Sequence, residues 1–162
     1  MSMIEMFVAG VAIDPTNNMP IIILKNSDKK RTLPIWIGIS EASAIAMKLV
    51  GASSARPLTH DLIRSVIEVC KAKILEVNID SFNKNTFFAK IKIKLGRRTF
   101  LIDSRPSDAI ALALRADVPI LVDEKVIEQA TTVNVTGVEG KTEDFKSLLK
   151  DLNAEDFSKY RM

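Results

Sequence analysis

From residue 90 to 95 the chain reads Lys90, Ile91, Lys92, Ile93, Lys94, Leu95, with polar and apolar side chains in strict turn. A period of two predicts a half-buried strand with a basic outer face. Upstream, Val77–Asp80 leads into the turn residues Asn83-Lys84-Asn85, which suit the positive φ of a hairpin. Leu62, Ile63, Val66, Ile67 and Cys70 follow a helical period instead, predicting a helix over 59–70 capped by Thr59. Ala42 to Val50 and Ala109 to Leu114 are apolar nearly all round, which predicts two buried helices. Ser40 and Gly51 bound the first, while Ser104 and Pro106 open the second, which ends near Asp117 before Pro119.

The same elements come twice. Val11-Ala12-Ile13-Asp14, Asn18 and the run Ile21–Leu24 correspond to Val77-Asn78-Ile79-Asp80, Asn83 to Asn85 and Phe87–Ile93. Arg31-Thr32 answers to Arg98-Thr99, and Ala44-Ile45-Ala46-Met47 to Ala109-Ile110-Ala111-Leu112, at an offset near 66 residues. The expected fold is α+β: an internal duplication of a β-β-β-α unit, with mostly antiparallel sheets packed against buried helices. The repeats span about 5–50 and 71–115, joined by helix 59–70, in one domain over 1–138. Beyond them, Ile120–Val122 predicts a strand, Glu124–Ala130 a helix, and Val133 with Val135 a last strand. Phe145, Leu148, Leu149 and Leu152 fall at helical spacing, so 139–162 reads as an amphipathic helical tail.

Composition narrows the function classes. With 47 % hydrophobic and 27 % charged residues among 162, the chain has material for a core and is not dominated by disorder. One cysteine, Cys70, excludes an internal disulfide and a multi-cysteine zinc site, and one histidine excludes a multi-histidine site within the chain. The net charge of +3 permits nucleic-acid contact without requiring it. Met6–Ile13 is too short and too poorly flanked for a secretory signal, and no membrane span is visible, so the expected location is cytoplasmic.

Three segments carry a resemblance: Leu33-Pro34-Ile35-Trp36-Ile37-Gly38, Arg56-Pro57-Leu58-Thr59-His60-Asp61-Leu62 and Asp103-Ser104-Arg105-Pro106-Ser107-Asp108-Ala109. Together and in this order they resemble the bifunctional nuclease family of bacteria and plants, credited with DNase and RNase activity. The likeness runs from about residue 5 to about residue 135, and the acidic-hydrophobic tail around Glu155-Asp156-Phe157 is similar to that of bacterial members. It implies duplicated β-rich halves and a homo-oligomer, a dimer as first guess.

Arg56 and Arg105 each precede a proline and a helix turn bearing an aspartate, Asp61 or Asp108. A helix N-terminus offers free N–H groups, and an arginine ahead of it adds a fork for phosphate oxygens, with Ser104 and Ser107 as further donors. The same residues could instead pair internally, each arginine with its own aspartate. His60 is the candidate proton-transfer group, or else a lock on the Arg56–Asp61 corner. Asp61, Asp103 and Asp108 complete the candidate catalytic set. Asp103, Asp108 and Glu41 are candidate ligands for Mg2+ or Mn2+, with Asp103 and Ser104 as a helix cap in the competing reading. The lysines of 90–94 could track a nucleic-acid backbone or keep a sheet edge soluble. Phe87, Phe88 and Phe100 are expected in the core, and Trp36 in the core or a subunit interface. The expected function is hydrolysis of RNA and DNA with low sequence specificity. Its rivals are a non-catalytic module for nucleic acid or a phosphorylated metabolite, and a structural oligomeric adaptor.

Overall fold

The computed structural model describes residues 2–132. β1 (Met3–Ile13), β2 (Pro20–Asn26) and β3 (Thr32–Trp36) form an antiparallel meander followed by helix α1 (Ile39–Leu49). After α2 (Thr59–Val69), β4 (Ala72–Asn83), β5 (Thr86–Leu95) and β6 (Arg98–Ser104) form a second meander followed by α3 (Pro106–Ala116). β7 (Ile120–Asp123) lies between the meanders, antiparallel to β1 and parallel to β4, and α4 (Glu124–Thr132) follows it. The result is one seven-stranded sheet of order β3-β2-β1-β7-β4-β5-β6, with a single parallel pair. The fold is α+β, with four helices among the described residues. The expected last strand at Val133 and Val135 and the tail over 139–162 lie outside them.

Turn chemistry explains the hairpins. Lys84 and Asn85 are the two loop residues between β4 and β5, and both have positive φ, 47° and 60°. That is the type I′ geometry, whose twist matches the flanking strands. Bulges at Val8/Gly10, Ile74/Glu76 and Ile79/Ser81 interrupt the pairing of β1 and β4 and add twist. The sheet curls far enough for α4 to touch both β3 and β4, four strands apart.

The larger of two buried clusters lies on the helix side, and Ala12, Ile21 and Ile23 form a smaller one on the other face of β1 and β2. Val77, Ile79, Ala89 and Ile91 from the second meander join Met6, Ile22, Leu24 and Leu33 from the first, with Ile45, Ile110 and Val126 from the helices. α3 is covered on nearly every side, including its one cation, Arg115. α1 departs from expectation: it buries only Ala42, Ile45 and Ala46, because it has a helix neighbour on one flank and leaves Ile39 and Leu49 in solvent. Phe87 packs against the core, but Phe88 and Phe100 are exposed, also against expectation. Phe88 points to the face of the sheet turned away from the described helices, and Phe100 stands on the outermost strand beyond them. Trp36 is half-exposed, and its ring N–H donates to Asp14 Oδ2 at 2.9 Å. The other Asp14 oxygen accepts from the Thr16 backbone and hydroxyl, and these bonds hold the Asp14 carboxyl below its usual range.

Candidate functional site

Two helix starts meet beside each other. Pro57 and Pro106 each force the residue before or around them out of helical geometry, and Arg105 is extended with φ −67° and ψ 145°. α2 opens with Asp61 Oδ2 accepting the Leu58 backbone N–H at 2.9 Å, which occupies a donor the helix leaves free. Thr59 is the first helical residue and makes no cap, and Ser104 spends its hydroxyl on the Arg105 carbonyl. Neither α1 nor α3 has a side-chain cap.

His60 is buried between α2 and α3, and its Nε2 stands 2.9 Å from Asp108 Oδ1. Asp108 Oδ2 accepts from Arg105 Nε at 2.7 Å, and the far side of the Arg105 guanidinium meets Glu41 Oε1 at 2.9 Å. The order is therefore Glu41–Arg105–Asp108–His60, drawn from α1, α3 and α2. Burial pushes the Asp108 carboxyl up, but Arg105 and His60 outweigh it and hold the group below its ordinary value. An ionised Asp108 makes Nε2 the donor, so Nδ1 carries the lone pair in neutral imidazole. The Arg105 side chain is 65 % exposed, and among the described residues its guanidinium bonds only to Asp108 and Glu41, leaving N–H groups over.

Arg115 supports this arrangement from below. It stands seven residues after Asp108, on the same stripe of α3, and only 6 % of it is exposed. Its guanidinium donates to Asp61 Oδ1 at 2.8 Å, and to the carbonyls of Ala111 and Ala44 at 3.1 Å each. Its own carbonyl accepts from Arg64 at 2.8 Å. Burial raises the Asp61 carboxyl, yet the Leu58 N–H, Arg115 and His60 together bring it below its usual range. Arg115 thus ties α1, α2 and α3 into one unit. Sequence reasoning missed it, although a lone arginine in an alanine-rich helix was a visible signal.

The remaining candidates are spread out. Arg105 pairs with Asp108, but Arg56 does not pair with Asp61. Arg56 makes no ion pair among the described residues and lines an open cavity of about 380 Å3 with Lys48, Ser53, Ser54 and Asp61. Arg105 is not on that wall. Ser107 is buried in the first turn of α3. Asp103 pairs in register with Lys90, which puts it on the face of the sheet turned away from the helices. Of the three candidate metal ligands, only Glu41 and Asp108 stand together, joined through Arg105. Among the described residues no three His, Cys, Asp or Glu side chains gather closely enough for a metal ion. No helix among them is long and apolar enough to cross a membrane.

Comparison with known proteins gives this arrangement its context. The model of the bifunctional nuclease domain matches residues 22–134, a span that contains Glu41, Arg56, His60, Asp61, Arg105, Asp108 and Arg115. An uncharacterized protein found in two strains of Mycobacterium tuberculosis is 38 % identical over 162 residues, covering 94 % of this chain and 97 % of its own. Bifunctional nuclease 2 of rice, Oryza sativa subsp. japonica, is 31 % identical over 117 residues. That alignment covers 70 % of this chain and 36 % of the plant protein, which is much the longer. The chain belongs to the bifunctional nuclease domain family.

Proposed function

We propose that this protein hydrolyses phosphodiester bonds in RNA and DNA with low sequence specificity, at the Glu41–Arg105–Asp108–His60 chain. One observation carries the reading: an exposed guanidinium is fixed by two carboxylates, one of which also orients the only histidine. Arg105 would grip a phosphate oxygen and offset its developing charge. His60 would move the proton, with Asp108 setting its tautomer. Asp61 would act as a positioning residue, holding α2 on Arg115. A divalent cation, where one is used, would find Glu41 and Asp108 as the neighbouring carboxylates, with Asp103 too far round the sheet to join them.

The test is cleavage of labelled single-stranded RNA and double-stranded DNA by highly purified protein, with and without EDTA. Loss of a general acid–base or of a charge-stabilising donor costs about 10²–10⁴ in rate, so His60→Ala and Arg105→Ala should both fall in that range. Equal cleavage by His60→Ala and the unaltered protein would overturn the assignment. Arg56, which makes no ion pair among the described residues and lines its own cavity, favours a second reading, binding of a phosphorylated ligand without cleavage. Inorganic phosphate that protects the folded protein, and no longer protects Arg56→Ala, would support that reading; protection unaffected by the substitution would remove it.

A further inference from the structure

Among the described residues β6 is an edge strand with few of the usual defences. Natural edges are kept from pairing by a short strand, a proline, a bulge, charged side chains (lysine above all) or a covering helix or loop. The opposite edge, β3, follows this rule, with five residues, Pro34 within it and α4 against it. β6 has seven residues, no proline and no lysine, keeps its charges to its ends at Arg98 and Asp103, and pairs with β5 without a register shift. Phe100, Leu101 and Ile102 in its middle are 36 %, 59 % and 43 % exposed. Alternation puts Phe100 and Ile102 on the helix side and Leu101, between Thr99 and Asp103, on the other, so the middle of the edge is apolar on each face.

The ends of β6 are opposite in charge. Arg97 and Arg98 lead into it, and Asp103 stands near its close. An antiparallel copy therefore brings each basic end to an acidic one. Two antiparallel edges related by a two-fold axis keep their helices on the same side, which limits the registers to those that move by two residues. Centring on Phe100 would set Arg98 against Ile102, and centring on Ile102 would set Asp103 against Leu101. Centring on Leu101 sets Leu101 against itself and Phe100 against Ile102. It also sets Thr99 against Asp103, with Arg97 on the diagonal from that carboxylate.

We infer that β6 is an interface between two copies of this chain, which pair antiparallel about Leu101 to make one continuous sheet of both subunits. The occupant is a second copy because the strand is complementary to itself in backbone, apolar centre and charged ends.

Sedimentation equilibrium of the full chain across the micromolar range, with cysteine cross-linking, tests this. The unaltered protein should sediment as a dimer, and Leu101→Arg as a monomer with an unchanged circular dichroism spectrum. In a Cys70→Ser background, Leu101→Cys should form a disulfide with its own copy on mild oxidation, since facing residues lie within disulfide reach. Thr99→Cys should not, because its copy is four residues along the strand, about 13 Å away, but it should cross-link to Asp103→Cys when the two are mixed. A monomer at every concentration would overturn the inference. So would a dimer that survives Leu101→Arg and is broken by Val66→Arg on α2, or a Thr99→Cys that couples to itself as fast as Leu101→Cys.

Discussion

At the scale of single residues, Arg115 is where most depends on one side chain. Removing one partner of a buried, hydrogen-bonded charge pair typically costs about 3–5 kcal/mol. Asp61 retains partial solvent contact, so Arg115→Ala should fall at the lower end, about 3 kcal/mol, measured by urea unfolding. Arg115→Lys should rescue little, because an ammonium cannot reach Asp61 and two carbonyls in the fork geometry. The aspartates set the acid limit. Both Asp61 and Asp108 have lowered pKa values in the folded state. Their contribution is complete above the unfolded-chain value, about 3.9, and is lost as pH falls through the folded values. Asp108→Asn should therefore flatten the acid limb of a plot of unfolding free energy against pH, with urea titrations reading it out. Gly38 matters for another reason. A Cβ there would collide with Glu41 Oε2, and that contact is the tip of a flexible side chain. Gly38→Ala should thus leave the fold intact while moving Glu41 off Arg105, seen as a weaker response to phosphate-bearing substrate.

Among the elements, the type I′ turn gives a direct check on backbone reasoning. Forcing a β-branched residue into left-handed φ costs about 1–2 kcal/mol. Asn85→Val should lose that much, and Asn85→Gly should be neutral or better, by thermal unfolding. This turn, the β5 alternation and the two alanine-rich helices were legible because each depends on near neighbours in the chain. The packing of α2 was not. Its period shows that Leu62, Val66 and Val69 share a face, yet the side that meets α3 carries His60, Arg64 and Ile67. Periodicity identifies faces, and only tertiary contacts decide which one turns inward. The same limit hid the partners of the site: Asp61 is 54 residues from Arg115, and His60 is 48 from Asp108. Local pairing of each arginine with the next aspartate was the simplest expectation, and it holds for Arg105 alone.

For the whole molecule, the charge balance is nearly even, so the nucleic-acid binding proposed above would have to come from placement rather than from the net +3. Lys90 and Lys92 are already committed to Asp80 and Glu76 across the outer face of the sheet. They make a poor backbone track. Arg105→Ala should lower the slope of log affinity against log salt by about one, and Lys92→Ala should leave it unchanged, measured by fluorescence anisotropy of labelled RNA over a salt series. Equal slopes for both variants would point to a binding face elsewhere.

Trp36 is the chain's single tryptophan, and it sits on β3, the edge of the sheet farthest in strand order from β6. Its indole N–H is held by the carboxylate that closes the β1–β2 loop. The molecule therefore carries a built-in optical gauge of the first meander, remote from the strand inferred to join two copies. Emission should shift when β1–β3 opens or when Asp14 takes up a proton at low pH, and should stay constant while subunits associate. Light emitted at one edge can then time the folding of a subunit separately from its pairing at the other.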